Sequence, residues 1–178
     1  MPDTRISLEK NSLEYELISS ALRDAHAMEE QAITLLTMQS SRLESYPELR
    51  NRVRLHLDET KSQLRRVDEC LEAIGTEKST LKDLVQKFTA TVGGAFNAMT
   101  EDEVLKGSFM SYSFEAFEIS CYMSLKTMAE AFGLPEIARM AEENLAEERA
   151  MAEWLEQHLP AVTKQYIGLA QRGERAKR

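Results

Sequence analysis

The sequence predicts an all-α protein, a four-helix bundle assembled from two antiparallel helical hairpins. Three observations carry this. Glu, Leu, Ala, Arg, Met and Lys dominate, and all are good helix formers. Only 7 glycines and 4 prolines interrupt 178 residues, so helices can run long. Alternating runs of β-branched residues, the mark of half-buried strands, are missing. A chain of this length forms one domain and buries a core without disulfides or a structural metal.

The few breakers set the element boundaries. Pro47, Gly75, Gly93-Gly94, Gly107, Gly133, Pro135 and Pro160 leave four long helical patterns, over 8–43, 47–74, 101–132 and 135–158. The third is expected to bend near Gly107. A shorter pattern covers about 79–92, and 160–171 forms one more helix. Ser45-x-x-Glu48, with Pro47 in the first turn, reads as a capping box before the second helix. Thr100-x-x-Glu103 reads the same way before the third. The first–second and third–fourth connections are tight, which makes two hairpins. The link between the second and third helices is long enough to cross the bundle, so those two helices run in the same direction. Two hairpins joined by one long crossover carrying an extra helix describe a ferritin-like four-helix bundle. Residues 1–10 are then a flexible tail, 11–159 the bundle, and 160–178 a terminal helix with a basic tail.

A net charge of −8 leaves an acidic surface. That argues against nucleic acid or an anionic membrane as partner, since both need clustered Lys and Arg. The one basic cluster, "QRGERAKR" at the end, reads as a disordered, solvated tail. No apolar run approaches the roughly 18 residues a membrane span requires. The opening "MPDTRISLEKN" lacks the apolar core of a secretion signal. Cys70 and Cys121 fall within helical patterns and read as buried free thiols of a reducing compartment, so the expected location is the cytoplasm. Met28, Met128, Met140 and Met151 read as core packing. The sequence contains no Gly-rich phosphate loop, nucleophile–histidine pairing or CxxC.

The halves repeat weakly. "YPELRNRVRLHLDETKSQLRRV" from Tyr46 and "LPEIARMAEENLAEERAMAEWL" from Leu134 align without gaps, matching Pro47 with Pro135, Glu48 with Glu136, Leu57 with Leu145 and Glu59 with Glu147. The same offset carries Glu30 onto Glu118, and a one-residue slip brings Glu29 there instead.

Helical spacing places several acids on apolar stripes. Ile18, Leu22, Ala25, Glu29, Ala32 and Leu36 share one face of the first helix, with Glu29 its lone charge and Glu30 about 100° away. Phe114, Glu118, Cys121, Leu125, Met128 and Phe132 share a face of the third, and Glu115 flanks it. In the second helix the main stripe is Val53, Leu57, Thr60, Leu64, Val67, Leu71 and Ile74. His56, Glu59 and Gln63 form an adjacent line at its edge. The fourth offers Glu147 on the line of Met140, Asn144, Met151 and Trp154, and Glu148 on that of Ala141, Leu145, Ala152 and Leu155. The repeat favours Glu147, whereas periodicity does not choose.

A lone buried carboxylate is costly, and it escapes by protonation, pairing or metal binding. Several at one level repel unless a cation neutralises them. Bundles hold two divalent ions with one Glu from each of two helices and Glu-x-x-His from the others. The alternative is that each Glu sits at a stripe's edge and reaches solvent. Tyr122, one turn after Glu118, either hydrogen-bonds a ligating carboxylate or keeps its hydroxyl at the rim; the rim is the favoured reading.

Four stretches resemble the YciE/YciF-type bacterial stress-response proteins, rubrerythrin-like members of the ferritin-like superfamily. They are "LRDAHAMEEQAITLL", "HLDETKSQLRRVDECLEAIG", "FEAFEISCYMSLKTMAEAFGLPEIARM" and "NLAEERAMAEWL". The resemblance runs from about Leu22 to Leu159 and is densest at "HLDET" and "FEAFEISCY". It implies a ferritin-like fold, a homodimer, and a di-iron or dimanganese site with two metal ions per chain. Glu29 and Glu59 would match the carboxylates of the first two helices, Glu115 and Glu118 the third-helix pair, and Glu147 and Glu148 the fourth-helix acids. Ala116 and Phe117 stand where the family has His and Tyr. Neither Glu59-x-x-Ser62 nor Glu148-x-x-Met151 supplies the Glu-x-x-His histidine. His56, one turn before Glu59, is the histidine placed to help, as a ligand, a supporting residue or a surface group. His26 and His158 are expected at the surface.

The expectation is a carboxylate-bound iron or manganese protein that reacts with peroxide or oxygen and draws on an unidentified redox partner. The other reading is a bundle that has lost its metal and serves as a structural or interaction module.

Overall fold

The computed structural model describes Ile6 and residues 8–76 and 102–176. These form four helices: α1 (Leu13–Arg42), α2 (Pro47–Ala73), α3 (Glu103–Ala131) and α4 (Pro135–Gln171). The helix expected over 79–92 and Thr100 lie outside the described residues.

Local chemistry explains the ends. Ser12 caps α1 by accepting the Tyr15 amide at 3.1 Å, and Glu14 and Glu16 oppose the positive end of the helix dipole. α2 starts with Pro47, whose missing N–H costs nothing in a first turn. The capping box expected at Ser45 and Glu48 does not form. Tyr46 is the N-cap, and the Ser45 hydroxyl donates instead to the Arg175 carbonyl at 2.9 Å. At the start of α3 Asp102 is the N-cap and makes no side-chain cap bond, while the Glu103 carboxylate takes the Arg42 guanidinium from the end of α1. α3 continues through the buried Gly107 as one helix. Gly133, at φ +67°, turns the chain between α3 and α4, and the Leu134 amide returns to Ala129 at 2.9 Å.

The expected break at Pro160 is absent, because α4 runs through it to Gln171. Only the bond to the Glu156 carbonyl is lost there, and Pro160 faces solvent, where water can satisfy that oxygen. The last described residues stay exposed except Ala176, yet they are tethered to the start of α2. Tyr46 donates its hydroxyl to the Ala176 carbonyl at 2.6 Å, Gln165 donates to Ser45, and Arg175 pairs with Glu44. At the other end, the Ile6 amide donates to the Ala73 carbonyl at 2.9 Å.

α1 packs on α2 and α3 on α4, and the hairpins meet along α1–α3 and α2–α4. Arg42 with Glu103, Gln39 with Ser111 and Glu29 with Tyr122 show that α1 and α3 are antiparallel. Gln63 with Glu148 and Arg66 with Glu147 show the same for α2 and α4. α2 and α3 therefore run alike on opposite corners, the ferritin-like arrangement. The α1 stripe from Ile18 to Leu36 is buried throughout, Glu29 included. Met28, Met140 and Met151 lie in the core, with Met128 packed against it.

Replacing Pro160 with Ala restores one helical bond at an exposed position. It is expected to raise stability by about 1–2 kcal/mol, read as a higher urea midpoint with unchanged slope.

Candidate metal centre

One polar layer crosses the middle of this core. α1 contributes Glu29, α2 contributes His56 and Gln63, α3 contributes Glu115, Glu118 and Tyr122, and α4 contributes Asn144 and Glu148; all are at most 2% exposed. Spacings of three, four and seven residues put each helix's members on one face.

Ligand atoms of His56, Glu115, Glu118 and Glu148 all lie within 4.8 Å of one another. His56 Nε2 is 3.2 Å from Glu115 Oε2 and 3.3 Å from Glu148 Oε2, while Nδ1 lies 2.9 Å from Glu59 Oε2. Glu29 sits beside this group. Tyr122 donates to Glu29 and accepts from Asn144 at 2.8 Å. Arg66 donates to Asn144 at 2.7 Å and pairs with Glu147, and Gln63 donates to Glu148.

Burial pushes the Glu29 and Glu118 carboxyls well above the usual range, and the facing Glu148 charge adds to it. Burial also pushes Glu115 up to about 8, against the pull of His56. His56 would be lowered by burial, yet the surrounding carboxylates, Glu115 first, hold it well above its ordinary value. Glu148 is the acid that stays low, because hydrogen bonds and charge from His56 outweigh its burial. Even so, Glu29 Oε2, Glu118 Oε1 and Gln63 Oε1 are buried without a hydrogen-bond partner, and Glu115 Oε2 and Glu148 Oε2 have only the one His56 nitrogen to share. Such atoms are rare and call for an explanation.

The structure brings together Glu29, His56, Glu115, Glu118 and Glu148. Glu59 stays at the edge, held by Arg52 at 3.0 Å and by His56. Glu147, the acid the repeat favours, also stays outside: its carboxylate is 30% exposed and paired with Arg66. Glu30 is exposed. Tyr122 is fully buried, so its hydroxyl is not at the rim. Gln63 and Asn144 join the layer unannounced, although each was a polar residue on a predicted inward or edge line. His26 is mostly buried, 3.2 Å from Asp68, and His158 stacks on Trp154 with ring centroids 3.9 Å apart.

Residues 14–168 match the family described as a domain of unknown function, DUF892. The chain belongs to this family. It is 28% identical to Protein YciF of Escherichia coli over 137 residues, 72% of this chain and 80% of that protein. Among solved structures, a Xanthomonas campestris protein aligns at TM-score 0.77 and 36% identity, covering 90% of this chain and 99% of that one. The E. coli stress protein YciF aligns at TM-score 0.73 and 22% identity, over 83% and 95% of the two chains. These matches place the chain among the YciE/YciF-type helical bundles. No helix among the described residues is long and apolar enough to cross a membrane.

Without metal, Glu29, Glu115, Glu118 and His56 hold protons more tightly in the folded than in the unfolded chain. Each therefore stabilises the fold at low pH, and that contribution is lost as pH rises through the folded-state value. Glu148 acts oppositely, but only below the ordinary carboxylate range. The metal-free protein should melt several degrees higher at about pH 5.5 than at about pH 7.5, followed by circular dichroism in chelator. A melting temperature that climbs over this interval would contradict the electrostatic account.

Proposed function

We propose that the protein is a ferritin-like carboxylate protein whose polar layer holds two iron or manganese ions and reacts with peroxide or oxygen. The observation carrying this is the set of four buried carboxylates and one imidazole, contributed by all four helices, in which Glu29 and Glu118 each keep an unpartnered oxygen and Glu115 and Glu148 share one imidazole nitrogen. A divalent cation relieves both the repulsion and the unmet hydrogen-bonding capacity, and a carboxylate-rich donor set suits a hard ion such as iron or manganese.

Glu29, Glu115, Glu118, Glu148 and His56 would hold the ions. Ferrous ions bound there would supply the electrons for reducing peroxide or oxygen. The protein's own part is to hold its ligands still. Tyr122 fixes one oxygen of Glu29, Asn144 fixes Tyr122, and Gln63 fixes Glu148. Arg66 with Glu147, and Arg52 with Glu59, bind the flanking acids outside the layer.

The likeness to an E. coli stress protein supports a role in stress. Two free cysteines, Cys70 buried and Cys121 partly so, suit the reducing cytoplasm. Phe109, Tyr112 and Met123 are each more than 40% exposed on one face of α3, which supports a homodimer through that face.

The second reading is a metal-free structural or interaction bundle. It is favoured by Ser62 and Met151 standing where Glu-x-x-His proteins have histidine, and by His56 already offsetting part of the negative charge.

Elemental analysis of protein purified without chelator, followed by anaerobic Fe(II) titration with and without peroxide, separates the two. About two irons per chain, oxidised on adding peroxide, are expected. Glu118→Ala should abolish tight binding while helical content stays intact. Under the second reading Glu118→Leu should instead raise the melting temperature, since it removes a carboxyl whose burial is repaid by nothing else. Wild-type protein that binds no metal, together with a stabilised Glu118→Leu, would establish the metal-free reading.

A further inference from the structure

The layer is not equally closed on all sides. Along α2–α4, Gln63 with Glu148 and Arg66 with Asn144 and Glu147 occupy its level. Along α1–α3 the packing instead leaves a cavity of about 20 Å³ that reaches His56, Glu115 and Glu118. One water needs on the order of 10–15 Å³ of such space, so the cavity admits a molecule of about that size.

Its walls have a definite character. Leu35 and Met110 are half-buried at its outer side, while Ala32 and Phe114 lie deeper at 2% and 6% exposure. Ser111 donates to Gln39 at 3.1 Å, pinning the two helices together at one edge. Among the described residues, no charged side chain beyond the layer's own His56, Glu115 and Glu118 lines it. An anion would meet apolar walls and then a negative cluster, and a bulky organic molecule would not fit.

Resting on the metal reading above, we propose that this α1–α3 cavity is the passage to the metal site. It selects a small uncharged oxidant, hydrogen peroxide or dioxygen, over organic hydroperoxides. Ala32 sets its depth, and Leu35 and Met110 set its mouth.

Two measurements test this. Crystals of the metal-free protein under xenon pressure should show a gas atom beside Ala32 and Phe114; none there would overturn the passage. In stopped-flow spectroscopy, iron-loaded protein should be oxidised by hydrogen peroxide at least about 100-fold faster than by cumene hydroperoxide, a size discrimination far beyond one methylene. Met110→Ala should narrow that ratio at least about tenfold at unchanged iron content, and Leu35→Trp should slow both reactions at unchanged iron content. Iron held normally but oxidised equally fast by both reagents would overturn the passage and leave the metal site standing. Failure to bind iron would overturn both.

Discussion

Like charges confined to one dry level of a helical bundle are the constraint on which the rest of this structure depends. Glu29, Glu115, Glu118 and Glu148 cannot all ionise there unaided. The groups around them answer that repulsion in graded ways. His56 supplies positive charge, Tyr122 and Gln63 supply hydrogen bonds, and Arg66 and Arg52 hold Glu147 and Glu59 outside. Each answer works only if its helix is in register with the other three. Apolar side chains above and below tolerate sliding far better, because dispersion and burial are non-directional. The polar layer is therefore what fixes the register of the bundle.

That layer also binds the two hairpins to each other. Within a hairpin, neighbours are held by extensive apolar packing. Between hairpins the polar contacts concentrate at the layer and at the bundle end, where Arg42 meets Glu103. The α2–α4 seam is cross-linked through Gln63, Arg66, Asn144 and the acids they bind. The α1–α3 seam relies on Glu29 with Tyr122 and Gln39 with Ser111, and it leaves a cavity beside the layer.

Much of this was legible from the sequence, because helical periodicity is a strong signal in a chain with few breakers. The α1 stripe is buried as its spacing demands, and the long crossover gives the observed helix directions. The α3 stripe was displaced: Tyr122 rather than Cys121 is fully buried, because the layer draws Glu115, Glu118 and Tyr122 inward together. Repeat alignment favoured Glu147 because Glu59 is its counterpart, and both are held at the edge by arginines that no helical pattern reveals. Between adjacent acids such as Glu147 and Glu148, the choice depends on the helix's rotation in the bundle. That rotation is a tertiary property. Pro160 misled for a related reason, since a proline on the solvent face costs one hydrogen bond without requiring the helix to end.

The docked ends give the molecule a polarity. Ile6 is tied to Ala73 at one end of α2, and Ala176 to Tyr46 at the other, about 40 Å away along a 27-residue helix. Sequences joined before Ile6 and after Ala176 would leave from opposite poles of the bundle. Copies fused in tandem would string out as a rod, whereas rejoining the two ends in a permuted chain would need a linker running the length of the molecule.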